Sequence, residues 1–189
     1  MSPELHEVPH WSVTMALEDL EDTARLARDL AARLRGGDLL ILTGDLGAGK
    51  TTFTQALAEA LGVQGRVSSP TFVISRVHRG SGGPDLIHVD AYRTDAAGLE
   101  DLDLLGSSAD AVTVVEWGRG LAEAALTGAS GSWLDLELHP EGAQVGVEGE
   151  LVTDFSESED DDLGTARRAV LRGFGPRWSV APRISLPRR

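Results

Sequence analysis

The sequence predicts a single α/β domain built on a central, mostly parallel sheet with helices on both faces. Three observations predict it. Short apolar runs at residues 38–43, 86–90 and 111–117 have the length and composition of buried strands. They alternate with longer segments of helical apolar spacing at 17–34 and 50–61. At 189 residues the chain is long enough for one good core, and no apolar run approaches a membrane span.

Residues 11–15 read as a short first strand. Residues 17–34 read as a helix whose apolar stripe is Leu20, Ala24, Ala27, Ala31 and Leu34, ended by Gly36 and Gly37. A strand at 38–43 leads into a glycine loop and a helix at 50–61 that stops at Gly62. Pro70 disfavours helix around it, and 72–78 has strand composition. Residues 79–85 make a turn to the returning strand 86–90. Residues 95–105 are expected to be helical, 111–117 a strand, 121–126 a short helix and 132–139 a strand. Residues 165–172 suit helix or strand, with strand preferred. The N-terminal and C-terminal strands are expected to pair antiparallel at an edge.

The glycine loop carries the strongest motif. Gly44-Asp45-Leu46-Gly47-Ala48-Gly49-Lys50-Thr51, followed by Thr52, fits G-x-x-x-x-G-K-[ST] in the strand, loop, helix setting that a P-loop requires. Glycines let the backbone turn its N–H groups inward at phosphate oxygens, and the helix adds the positive end of its dipole. Lys50 suits the β- and γ-phosphates, and the Thr51 hydroxyl suits Mg²⁺. Lys50 is the sole lysine, beside sixteen arginines. A compact ammonium is kept where it suits a phosphate better than a planar fork. The fold expectation is therefore P-loop NTPase-like.

Composition narrows the function further. With no cysteine, disulfides and thiolate metal sites are excluded. Residues 1–10 lack an apolar core, so no secretory signal is expected and the cytoplasm is the expected location. The net charge of −13 is unevenly placed: 141–162 holds nine acids and no base, while 163–189 holds seven arginines and no acid. Outside the acidic segment the balance is 21 acids to 17 bases, so the body of the domain offers no broad basic face for nucleic acid. The segment 141–162 reads as a solvated, partly disordered insertion. The expected organisation is a P-loop domain over 1–178, with Trp178 packing back on the core, and a loose basic tail over 179–189.

Three further stretches bear on chemistry. Ser69-Pro70-Thr71 follows the P-loop helix, where a switch segment would place a hydroxyl near the γ-phosphate or Mg²⁺; a plain turn is the alternative. Asp90 ends an apolar strand, the end off which ligands sit in open α/β sheets. It suits holding Mg²⁺ through water, orienting an attacking water, or merely capping the next turn. Glu116 repeats the pattern, and its burial makes sense if a cation neutralises it. His88 reads as a hydrogen-bonded structural histidine rather than a metal ligand, and Trp117 as a core or lid residue rather than a base platform.

Taken as a set, G-D-L-G-A-G-K-T-T-F at 44–53, S-P-T-F at 69–72, H-x-D-x-Y-R at 88–93 and V-E-W at 115–117 resemble the bacterial TsaE (YjeE) family. Its members are the P-loop ATPases of tRNA threonylcarbamoyladenosine biosynthesis. The likeness runs from about Asp19 to His139. It implies an ATPase using ATP and Mg²⁺, yielding ADP, slow alone and coupled to a heterodimer of two paralogous subunits, TsaB and TsaD. That heterodimer is the transferase. Contact with tRNA would be indirect, with no DNA or membrane partner. By the same likeness Lys50 and Thr51 hold phosphates and Mg²⁺, and Thr71 belongs to the first switch region. Asp90 is the Walker-B-like acid and Glu116 lies at the metal and catalytic centre. Which acid orients water and which serves Mg²⁺ stays open. Two departures from the family pattern are His78, where tyrosine is usual, and Gly118-Arg119, where a proline or small residue and then an acid are common.

Two other function classes compete. A P-loop small-molecule kinase needs a lid bearing cations, and the best candidate, 79–85, is short with one arginine. A GTP-dependent switch needs an Asn-Lys-x-Asp loop, which a chain without asparagine cannot form.

Overall fold

The computed structural model describes residues 8–68, 74–92, 94–101, 109–127, 131–140 and 166–187. Among the described residues, seven strands form one sheet: β1 (Trp11–Leu17), β2 (Leu39–Thr43), β3 (Ser75–His78), β4 (Asp85–Asp90), β5 (Ala111–Glu116), β6 (Trp133–Pro140) and β7 (Arg167–Phe174). The α-helices described with them are α1 (Leu20–Ala31), α2 (Lys50–Ala60), α3 (Ala96–Asp101) and α4 (Ala122–Leu126). The strand order is β1-β7-β6-β2-β5-β4-β3. The centre, β6-β2-β5-β4, is parallel, while β1, β7 and β3 add antiparallel edges.

β2 lies at the middle and is buried on both faces, which is why Leu39 to Leu42 read as a continuous apolar run. The pleat sends Leu40 and Leu42 to one core, with Leu26 and Leu30 of α1 and Phe53 and Leu57 of α2. It sends Leu39 and Ile41 to the other, with Ile87, Val115 and Leu126. The two layers position the glycine loop and the ends of β4 and β5 on one edge of the sheet.

Several boundaries differ from expectation. The first helix begins at Leu20 rather than 17, because β1 pairs as far as Leu17 with Arg167 and the Asp19 carboxylate caps the helix from Asp22 N at 2.9 Å. Its buried residues are Thr23, Leu26, Ala27 and Leu30, so the expected stripe was rotated: Leu20, Ala24 and Ala31 are only partly buried. β5 stops at Glu116 because Trp117 has φ +62°, which no strand continues. Residues 165–172 do resolve to a strand, beginning at Arg167.

The expected loose tail is corrected over 179–187. Ile184 and Leu186 are buried in the core that holds α1, and Ser185 donates from N to Asp29 Oδ2 at 2.8 Å. Two apolar side chains two residues apart provided the burial that a composition of prolines and arginines concealed. Trp178 is buried as expected, and its carbonyl accepts from Trp11 Nε1 at 2.6 Å. The acidic segment 141–162 and the Ser69-Pro70-Thr71 stretch lie outside the described residues. Among the described residues, no helix is long and apolar enough to cross a membrane.

Candidate functional site

The glycine loop leaves β2 at Thr43 and returns as α2 at Lys50. Gly44, φ +143°, passes so near β6 that a Cβ would lie 2.4 Å from the Leu138 carbonyl oxygen. Gly49, φ +93°, occupies the N-cap position of α2 in the left-handed region. The Lys50 side chain is buried and folds back over the loop. Its Nζ donates to the carbonyls of Gly44 at 2.8 Å and Asp45 at 2.9 Å. It also stands 3.8 Å from the centre of a Trp117 ring. Burial pushes the Lys50 pKa down, while Glu116, Asp45 and Asp90 act in the opposite direction.

The two carboxylates reach the site by register. β4 and β5 are parallel neighbours, and Asp90 pairs with Glu116 at their C-terminal ends. Glu116 is 3% exposed. Its carboxylate accepts from the Thr51 hydroxyl at 3.2 and 3.3 Å, and lies 2.8 Å from His88 Nε2. The Oε1 atom that faces the first turn of the P-loop helix is also the one beside Nε2 of the fully buried His88 imidazole, so a single carboxylate links the two. With Nε2 engaged by Glu116, Nδ1 is buried and has no hydrogen-bond partner among the described residues. Asp90 is partly exposed, and its Oδ1 accepts the Tyr92 N–H at 3.0 Å, the turn-capping role open to it from sequence.

Trp117 is held between Lys50 and Tyr92, whose ring centre lies 5.4 Å away at an angle of 58°. The loop after it is tied down by Arg119. That side chain donates to both oxygens of buried Asp135, at 2.8 and 2.6 Å, and to Glu137 at 3.0 Å. Arg172 reaches Glu137 from β7 at 2.7 Å. Burial opposes the Glu137 charge, but hydrogen bonds from Arg172 and Arg119 outweigh it and hold its pKa at about 2. The departure at Arg119 thus has a structural partner in Asp135.

The structure brings Lys50, Thr51, His88, Asp90, Glu116 and Trp117 to one edge, as their positions at strand and helix ends predict. Thr71 lies outside the described residues. Arg167 was not legible as a site neighbour: it meets the glycine loop from β7, 119 positions away in sequence, with Nε donating to Ala48 O at 3.1 Å. No local motif announces such a contact. His88 was legible as a hydrogen-bonded residue, but its partner was not. The donor set at the helix start, a hydroxyl and a carboxylate, is of hard oxygens and fits Mg²⁺, which takes one or two protein ligands and completes its shell with phosphate and water.

Three comparisons bear on what this chain is similar to. The family model described as threonylcarbamoyl adenosine biosynthesis protein TsaE matches residues 17–145. A Streptomyces coelicolor tRNA threonylcarbamoyladenosine biosynthesis protein TsaE is 45% identical over 159 residues, covering 82% of this chain and 93% of that protein. The Mycobacterium leprae protein of the same name is 49% identical over 115 residues, covering 56% of this chain and 71% of that one. Among solved structures, Bacillus subtilis YdiB matches with a TM-score of 0.62 at 28% identity, over 89% of each chain.

Proposed function

The chain belongs to the TsaE family, and from that premise we propose that it is the ATP-binding and ATP-hydrolysing component of bacterial tRNA threonylcarbamoyladenosine biosynthesis. The observation that carries the reading is the contact of Thr51, in the first turn after the glycine loop, with the buried carboxylate of Glu116. It joins the phosphate-binding loop to an acid at a strand end, the pairing that Mg²⁺-dependent phosphoryl transfer uses.

In this proposal the backbone from Gly44 to Gly49, with Thr52 following, cradles the phosphates. Lys50 exchanges its two loop carbonyls for phosphate oxygens. Thr51 would hold Mg²⁺ together with a carboxylate of this edge, Glu116 or Asp90, and the ion would neutralise charge on the phosphates. One of the two carboxylates serves the ion and the other orients a water. That water attacks the γ-phosphorus, the bond to the β-phosphate oxygen breaks, and ADP and phosphate leave. His88 keeps Glu116 aimed at Thr51, and Trp117 covers Lys50. Thr71 contributes from the switch stretch.

The partner we propose is a TsaB–TsaD-type heterodimer, with tRNA engaged only through it and the whole system in the cytoplasm. Exposed apolar groups at the rim support a macromolecular cover: Leu46 at the loop tip is 91% exposed and Tyr92 68%. The experiment is retention of the heterodimer on the immobilised chain in ATP and in ADP, with Lys50→Ala as control. Nucleotide-dependent retention that Lys50→Ala abolishes supports the proposal. Retention indifferent to nucleotide and to Lys50 overturns it.

A further inference from the structure

Arg167 opens β7, facing Leu17 of β1 and Pro140 of β6, beyond the residues 17–145 that the family match covers. It is 3% exposed, and burying a guanidinium is costly unless its hydrogen bonds are worth the desolvation. Among the described residues, it has a hydrogen-bonding partner in the glycine loop. Nε donates to the Ala48 carbonyl at 3.1 Å, and the group lies so close to Gly49 that a Cβ there would sit 2.8 Å from Nε and 3.2 Å from Cζ. Gly49 is required by its φ of +93°, and the Arg167 side chain lies close against it.

The peptide joining Ala48 to Gly49 is trans, so its carbonyl and its N–H point in opposite directions. A charged donor on the carbonyl therefore fixes the Gly49 N–H on the far side and polarises it. We infer that Arg167 is a positioning residue for the phosphate-binding loop: through the Ala48 carbonyl it orients and strengthens the Gly49 N–H, and so sets the affinity for nucleoside di- and triphosphates. The inference rests on the reading that this loop holds phosphates.

The test is equilibrium binding of a fluorescently labelled ADP, with Mg²⁺, to the full chain and to Arg167→Met, Arg167→Lys and Lys50→Ala, each checked by thermal unfolding. Loss of a charged hydrogen bond predicts about tenfold weaker binding for Arg167→Met. Arg167→Lys keeps the charge but not the Nε–H that donates to the Ala48 carbonyl, and is expected in between, about threefold weaker. A lower melting temperature with unchanged affinity in Arg167→Met means a purely structural role and overturns the inference. If Arg167→Met does not fold, unaltered affinity in Arg167→Lys overturns it equally. Lys50→Ala separates the two readings: if it binds like the unaltered chain, the phosphate reading fails and this inference with it. If it weakens binding while both Arg167 variants do not, only the inference on Arg167 fails.

Discussion

Glu116 does two things in this structure, and two substitutions separate them. Its carboxylate is the partner of a fully buried His88 at 2.8 Å and of Thr51 at 3.2 Å, so Glu116→Ala leaves two polar groups without an acceptor. Among the described residues Nδ1 of His88 is already buried without a partner, and losing the Nε2 bond leaves the ring unsatisfied by them. An orphaned buried donor costs about 1–3 kcal/mol, and deletion of the side-chain volume adds to that. Glu116→Ala is therefore expected to lose about 2–4 kcal/mol. At about 2–4 °C per kcal/mol for a domain of this size, the melting temperature falls by roughly 4–16 °C. Glu116→Gln keeps an oxygen for Thr51 or His88 and fills the same space, so its loss is expected to stay near about 1 kcal/mol. Hydrolysis behaves differently. Both variants lack the charge that the proposed function assigns to the Mg²⁺ or the water, and both are expected to lose about 100-fold or more in kcat. Calorimetry or thermal scanning reads the first effect, and steady-state phosphate release at saturating ATP reads the second. Near-normal release by Glu116→Gln refutes the assignment of Glu116. Equal stability of the Ala and Gln variants refutes the reasoning about the buried pair.

Asp90→Ala is expected to lower kcat by about 100-fold with a smaller effect on stability, because Asp90 is partly exposed and its described bond is to the Tyr92 N–H; phosphate-release kinetics and a melting curve check both parts. Glu137 contributes to acid sensitivity. Its folded pKa of about 2 lies below the ordinary 4.5, so its stabilisation is present above pH 4.5 and is lost as pH falls toward 2. With allowance for solvent screening that amounts to about 1–2 kcal/mol. Glu137→Gln should flatten the stability profile between those pH values in denaturant titrations, leaving the slope above pH 5 unchanged. Truncation after Trp178 removes Ile184 and Leu186 from the core around α1 and should cost about 3–5 kcal/mol in urea unfolding; an unchanged midpoint would return the segment to the status of a loose tail.

What the sequence made legible was local. The glycine loop, the helix it opens and the carboxylates at strand ends each announce themselves within ten residues, and parallel register then places Asp90 beside Glu116 without further information. Of the edge segments, 11–15 and 72–78 read as strands, while 165–172 suited helix or strand until its pairing with β1 and β6 was seen. What stayed hidden depends on side chains that meet across the sheet. Arg167 and Arg172 look like the start of a basic tail in sequence, yet one lies under the phosphate loop and the other pairs with Glu137. Arg119 reads as a departure from a family pattern until Asp135 is seen beneath it. The rotation of the α1 stripe has the same origin: which alanines are covered depends on where α2 lies, and periodicity does not record that.

The central claim is an ATP-hydrolysing site that a partner completes, and the most direct measurement is the initial rate of phosphate release from ATP by the full chain, alone and with the TsaB–TsaD-type heterodimer added at saturating nucleotide. The proposal predicts slow release alone and clearly faster release with the heterodimer, because a switch-type site reaches its working geometry only when its loops are ordered from outside. The same rate in both conditions would contradict it.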